Sequence, residues 1–186
     1  MSYLRAFLPW IVFAVIPSGS WQWGALAALV AAVAIIVQQA RDGARFDALI
    51  IETGSAVFFA VLAAIAFADP HSGVHDYSAA LSSGVLALIA GVSLAIGKPF
   101  TLGIAKRTTP PEVWNLKPFI RTNTVITAVW TAAFLVTALA LAAMAHAGHG
   151  HSTTATIVQI AGFVVPMVFT VRYVALVQAR AGQVAR

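Results

Sequence analysis

Cysteine is absent from the 186 residues, which excludes a disulfide framework, a thiolate metal site, an iron–sulfur cluster and a cysteine nucleophile. Charge is scarce too: Asp, Glu, Lys and Arg make up 9% of the chain, against about 25% in an ordinary soluble domain. That scarcity excludes a soluble globular protein. Eleven Lys and Arg outnumber six Asp and Glu, but they stand between long apolar runs, so nucleic acid is not the expected partner and the lipid bilayer is. Enzyme signatures are missing as well. The chain has no His-Glu-x-x-His, Gly-x-Ser-x-Gly, phosphate-binding loop or paired Asp-rich motif. A non-enzymatic protein with no cofactor is expected, with no catalytic residue to name.

What the chain has in abundance is apolar length, at 60% hydrophobic residues. Six stretches stand out, at residues 4–16, 21–37, 48–67, 79–96, 125–145 and 156–177. At 1.5 Å per residue the last four cross a hydrocarbon core of about 30 Å, and the first two are shorter. The expected fold is all-α, a single transmembrane domain over residues 1–186 built as a six-helix bundle. The first stretch is the shortest and contains Pro9; a tilted span, a re-entrant segment and a signal peptide are its alternatives. Arg5, the apolar run and the small residues Ser18, Gly19 and Ser20 fit the signal pattern, yet the segment is expected to be retained. Pro17-Ser18-Gly19-Ser20 reads as a tight turn into the second helix.

Charge placement tests this layout independently, because cytoplasmic connections concentrate Lys and Arg. Alternate connections hold Arg5, then Arg41 and Arg45, then Lys98, Lys106, Arg107, Lys117 and Arg121, then Arg172, Arg180 and Arg186, which is every basic residue. The opposite connections hold none and contain all five histidines. Six spans with both termini cytoplasmic are therefore expected. Asp42 and Asp47 beside Arg41 and Arg45 make a mixed-charge loop that solvates helix ends.

Small residues recur at close-packing spacing: Gly24, Ala28 and Ala32 in the second stretch, and Ala87, Gly91 and Ala95 in the fourth. Such faces let helices approach within the chain or in a homo-oligomer. In the fourth connection, Thr109-Pro110-Pro111-Glu112 has the form of a capping box, which predicts a short helix through Trp114. Trp114 flanked by Lys106, Arg107 and Lys117 suits a segment at headgroup level, with Trp114 and Lys117 as its anchor.

Lys98-Pro99 at the end of a span, a basic stretch, Pro111-Glu112-Val113-Trp114, Asn123 opening the next span, and Trp130 with Phe134 together carry a likeness. So does the opening, with Phe7-Leu8-Pro9 before two closely spaced spans. In these features the chain resembles the intracellular septation protein A family of bacterial inner-membrane proteins. The likeness covers the layout of residues 4–140, with its recognisable motifs mainly in residues 97–134. It implies a non-enzymatic protein of the bacterial cytoplasmic membrane associated with envelope maintenance and division, and it brings no catalytic residues.

Ionisable groups inside spans are costly and mark candidate functional sites. Glu52, about one turn into the third stretch, shares a leaflet with Arg121 and Arg172 in the expected topology. An intramembrane ion pair of Glu52 with Arg121 or Arg172 is expected, with snorkelling and ion coupling as alternatives. Thr124, Thr127 and Thr131 share one face of the fifth stretch, which serves as packing glue or as a polar permeation stripe. The histidines fall into two groups, His71 and His75 with Asp76, and His146, His149 and His151. Imidazoles at that density bind zinc, copper or nickel, or form a solvated or pH-responsive loop. Haem ligation is not expected, since no histidine lies inside a span. The functional expectation is a structural or accessory protein of envelope maintenance and septation. Its alternatives are a small transporter or channel for a divalent metal or protons, and a dedicated subunit of a larger membrane complex.

Overall fold

The computed structural model of the chain describes residues 2–16, 18–43 and 49–184, with side chains over 5–16, 19–43 and 49–180. Pro17 of the expected turn, Arg45 and Asp47 of the mixed-charge loop, and Arg186 lie outside the described residues. Seven α-helices occur among the described residues: α1 Ser2–Val15, α2 Trp21–Arg41, α3 Ile50–Ala68, α4 Ser78–Ala95, α5 Phe100–Lys106, α6 Lys117–His146 and α7 Thr153–Val184. Two 3-10 turns, Ser18–Ser20 and Pro111–Val113, sit between them. Five of the helices, α2, α3, α4, α6 and α7, are long and apolar enough to cross a membrane, as in a multi-pass membrane protein. α1 is a shorter apolar helix.

Helices α2, α6 and α7 run beyond the apolar stretches that mark them in the sequence. α6 begins at Lys117, eight residues before the apolar run at 125, because a helix keeps its backbone bonds in water as well as in lipid. Hydropathy shows only the part that must be dry. Large apolar side chains such as Val57, Val61, Leu88, Val136, Leu139 and Val165 point outward and are exposed. Apolar exposure spread over so many helices suits lipid and not water.

α4 packs most extensively on α6, α2 on α3, α6 on α7 and α1 on α2. α3 and α4 are joined by a short loop yet touch much less. The chain therefore forms two groups, and α1 is the wedge between them. Its Ala6, Phe7 and Trp10 are buried in a core drawn from α1 to α6, with partly buried side chains of α7 packed against it. Trp10 stacks on Phe58 at 5.2 Å, and its indole N–H donates to the Ser55 hydroxyl at 2.8 Å. Phe7 faces the other group and stacks on Trp130 at 5.0 Å. A helix of fourteen residues reaches only about 21 Å, but it holds the centre of the bundle.

Several of the small residues make contacts within the chain, while Ala95 is exposed. Gly24 lies against Phe13 of α1 and Ile16 just beyond its end, with Ala28 and Ala32 buried along α2. Gly91 faces Thr131 of α6. At the α6 and α7 crossing, a Cβ on Gly162 would run into the Thr137 hydroxyl, so only glycine allows that approach.

The short helix of the fourth connection differs from the expectation. It forms earlier, as α5, and it is buried on one face through Phe100, Thr101 and Ile104. α4 ends with the Gly97 N–H bonded to the Leu94 carbonyl and the Lys98 N–H bonded to the Ser93 carbonyl, a Schellman arrangement. The Ser93 hydroxyl then accepts the first N–H of α5, from Phe100, at 3.1 Å. The expected capping box is not made. Thr109 donates to the Ala105 carbonyl at 2.7 Å, closing the end of α5, and Pro111–Val113 is a single 3-10 turn without a side-chain cap. The physical reason is the proline pair: Pro111 holds Pro110 extended, at ψ 145°, so the helix cannot start on Thr109.

Candidate functional site

At one end of the bundle the loops 69–77 and 147–152 meet. The first is a series of tight turns, with the Asp69 carboxylate accepting the His71 N–H at 3.1 Å and the Ser72 carbonyl accepting the His75 N–H at 2.9 Å. The second begins where α6 ends, with the Gly148 and His149 N–H groups bonded to the Ala145 and Met144 carbonyls. Gly150 lets the loops touch, since a Cβ there would lie 2.7 Å from the Asp76 carbonyl oxygen. That approach puts His151 Nε2 at 3.3 Å from Asp76 Oδ1. The His75 ring stacks on His151 with centroids 4.5 Å apart and also lies 5.2 Å from the Trp21 ring. Trp21 is itself fixed by donating its N–H to the Pro70 carbonyl at 3.0 Å.

His75, Asp76 and His151 thus offer three ligand atoms within 4.8 Å of one another. They come from connections more than seventy residues apart in sequence. His71, His146 and His149 are exposed and stand outside this group, which takes one histidine from each of the two groups seen in the sequence. His71 does not join His75, because the segment between them turns at Gly73 and is not helical. Behind the group lies a cavity of about 260 Å³, bounded by Trp21, Ser78, Thr156 and Gln159. A second, mainly apolar cavity of about 360 Å³ adjoins it between α1, α4 and α7 and shares Phe13, Thr156 and Gln159. The Ser82 hydroxyl on its wall is buried without a hydrogen-bond partner.

The opposite end carries the basic connections and a buried polar group. Glu52, 1% exposed in the first turn of α3, accepts from Gln39 Nε2 at 2.9 Å and from Arg107 Nη2 at 3.3 Å, both on Oε1. The expected partners Arg121 and Arg172 are exposed, and the ion pair is with Arg107. The reason is α5, which folds the start of the fourth connection back under the bundle and delivers Arg107 from its C-terminal end. A carboxylate in the first turn of α3 also meets the positive end of the helix dipole.

The threonine stripe is committed to packing. The Thr101 hydroxyl of α5 donates to the Asn123 carbonyl at 2.9 Å and lies 2.8 Å from the Thr127 hydroxyl. Thr131 and Thr124 bond back to the carbonyls of Thr127 and Ile120. Trp114 is half-buried, donating its N–H to the Thr109 carbonyl at 2.9 Å, with Lys106 Nζ 5.4 Å above its ring. Lys117 is exposed in the first turn of α6. Sequence reasoning missed Gln39, Thr101 and the role of Arg107. One of these had a readable signal: Gln39 is a polar amide in the last turn of an otherwise apolar helix.

No protein-family model matches this chain, and neither does a curated protein or a solved structure.

Proposed function

We propose that the chain is a non-enzymatic, multi-pass protein of a bacterial cytoplasmic membrane, acting as a structural or accessory component in envelope maintenance and septation through membrane-protein partners. The observation that carries this reading is the closed centre of the bundle. Phe7, Trp130, Phe134 and Phe163 fill it with mutual ring contacts between 5.0 and 6.4 Å, and Phe100 adds two further edge contacts. A packed aromatic plug suits a scaffold better than a conduit. The buried hydroxyls of Thr101 and Thr127 meet each other between α5 and α6, and that of Thr170 accepts from Trp130 of α6 while donating to the Pro166 carbonyl of its own helix, which supports the same reading. In this proposal α1 is a sixth crossing helix, the histidine end faces outward, and Trp114 with Lys117 lies at the headgroup level of the inner leaflet.

Absence of cysteine makes orientation directly measurable. Single cysteines at His71, Thr108 and Ser2 are expected to react differently with an impermeant maleimide applied to intact cells. His71→Cys is labelled at once; Thr108→Cys and Ser2→Cys are labelled only after permeabilisation. Immediate labelling of Ser2→Cys together with His71→Cys, with Thr108→Cys still protected, would remove α1 from the crossing helices. The functional test is native mass spectrometry of the protein purified from its own membrane in mild detergent. A stoichiometric protein partner, retained with Glu52→Gln, is the expected result. Proton or divalent-cation flux in proteoliposomes that disappears with Glu52→Gln would replace the accessory role with transport.

A further inference from the structure

We infer that His75, Asp76 and His151 form a binding site for one divalent transition-metal ion of the zinc, cobalt and nickel class, clamping the loops 69–77 and 147–152 together. The inference is independent of the accessory role proposed above. Two imidazoles and a carboxylate are a common donor set for these ions, which leaves one or more positions for water. Metal–ligand bonds of 2.0–2.1 Å place neighbouring ligand atoms about 3.3 Å apart in a tetrahedral site. His151 Nε2 and Asp76 Oδ1 already have that separation, at 3.3 Å. The third ligand atom lies within 4.8 Å of both, so binding requires the side chains to draw in on the ion.

Three features make this a built arrangement and not a chance meeting in a histidine-rich loop. Gly150 permits a backbone approach that any side chain would block. Trp21, 3% exposed and bonded to Pro70, supports the His75 ring from behind. The cavity beside His75 and His151 has polar walls in Ser78, Thr156 and Gln159, with room for the remaining water ligands. Electrostatics at this end favour a cation. The loops 69–77 and 147–152 contain Asp69 and Asp76 and no Lys or Arg. His146 and His149 lie close in sequence to His151 but are not among the three clustered groups. The site therefore differs from a flexible histidine tract, in which neighbouring imidazoles substitute for one another.

The test is Co(II) titration of the full-length protein in detergent, carrying an affinity tag without histidine, followed by the visible d–d absorption and by competition with Zn(II). One equivalent is expected to bind, with zinc displacing it. His75→Ala and Asp76→Asn should each weaken binding at least about tenfold, and His149→Ala should leave it unchanged. Asp76 is well exposed, so Asp76→Asn reports on ligation even if His75→Ala disturbs the packing against Trp21. No stoichiometric binding overturns the inference. So does binding that survives Asp76→Asn and His75→Ala but falls with His146→Ala and His149→Ala, which would assign the metal to the tract.

Discussion

Trp130→Ala is expected to lower the stability of the protein by about 3–5 kcal/mol, the range for removing a large aromatic from a packed core. Trp130 is 1% exposed and touches Phe7, Phe100, Phe134 and Phe163, which belong to α1, α5, α6 and α7. In lipid there is little hydrophobic drive between helices, so the loss is one of dispersion contacts across a cavity that apolar walls keep dry. Trp130→Phe separates ring volume from polarity. It gives up the N–H donated to the Thr170 hydroxyl at 3.0 Å, while that hydroxyl keeps its own bond to the Pro166 carbonyl. A loss of about 1 kcal/mol is expected for it. Thermal unfolding in mild detergent, followed by circular dichroism, compares the two. Equal losses would mean that the hydrogen bond, and not the plug, is the stabilising element.

The second large effect is asymmetric. Arg107→Met should cost about 3–5 kcal/mol, because it leaves a buried Glu52 carboxylate without its cation. Glu52→Gln should cost about 1–2 kcal/mol, since the amide still accepts a bond from Gln39. The Arg107 side chain is 23% exposed, so its charge keeps access to water in that variant. The double variant Arg107→Met with Glu52→Gln is expected to recover most of the loss seen with Arg107→Met alone. Additive losses, measured by the same unfolding experiment, would show that the two groups are not coupled.

The contrast between these two sites shows how far sequence reasoning reaches. Trp130 and Phe134 are visible as aromatics one turn apart on an apolar helix, and burying them is the default for such a pattern. Their partner Phe7 sits in the shortest apolar stretch of the chain, whose length alone left its place open. Glu52 is conspicuous as an acid inside an apolar run, but its cation is not. Arg121 and Arg172 flank spans and look closer to it than Arg107, which stands in a connection that reads as a segment at headgroup level. The proline pair at 110 and 111 reads as the start of a helix, whereas the helix that matters ends at Lys106, four residues before it.

From the residues alone follow the all-helical character, the apolar lengths of the five long helices, and the separation of histidines from Lys and Arg onto opposite ends. These properties are local and additive: an apolar run of sufficient length must satisfy its backbone internally, and each connection carries its own charges whatever the neighbouring helices do. Contacts between helices are of another kind, since they depend on the rotation, depth and tilt that packing imposes on each one. Only the tertiary structure therefore decided that α1 is the central wedge and that Arg107 reaches Glu52. It also decided that two of five histidines meet one aspartate, because that meeting depends on a single glycine at a loop contact whose effect no local pattern encodes.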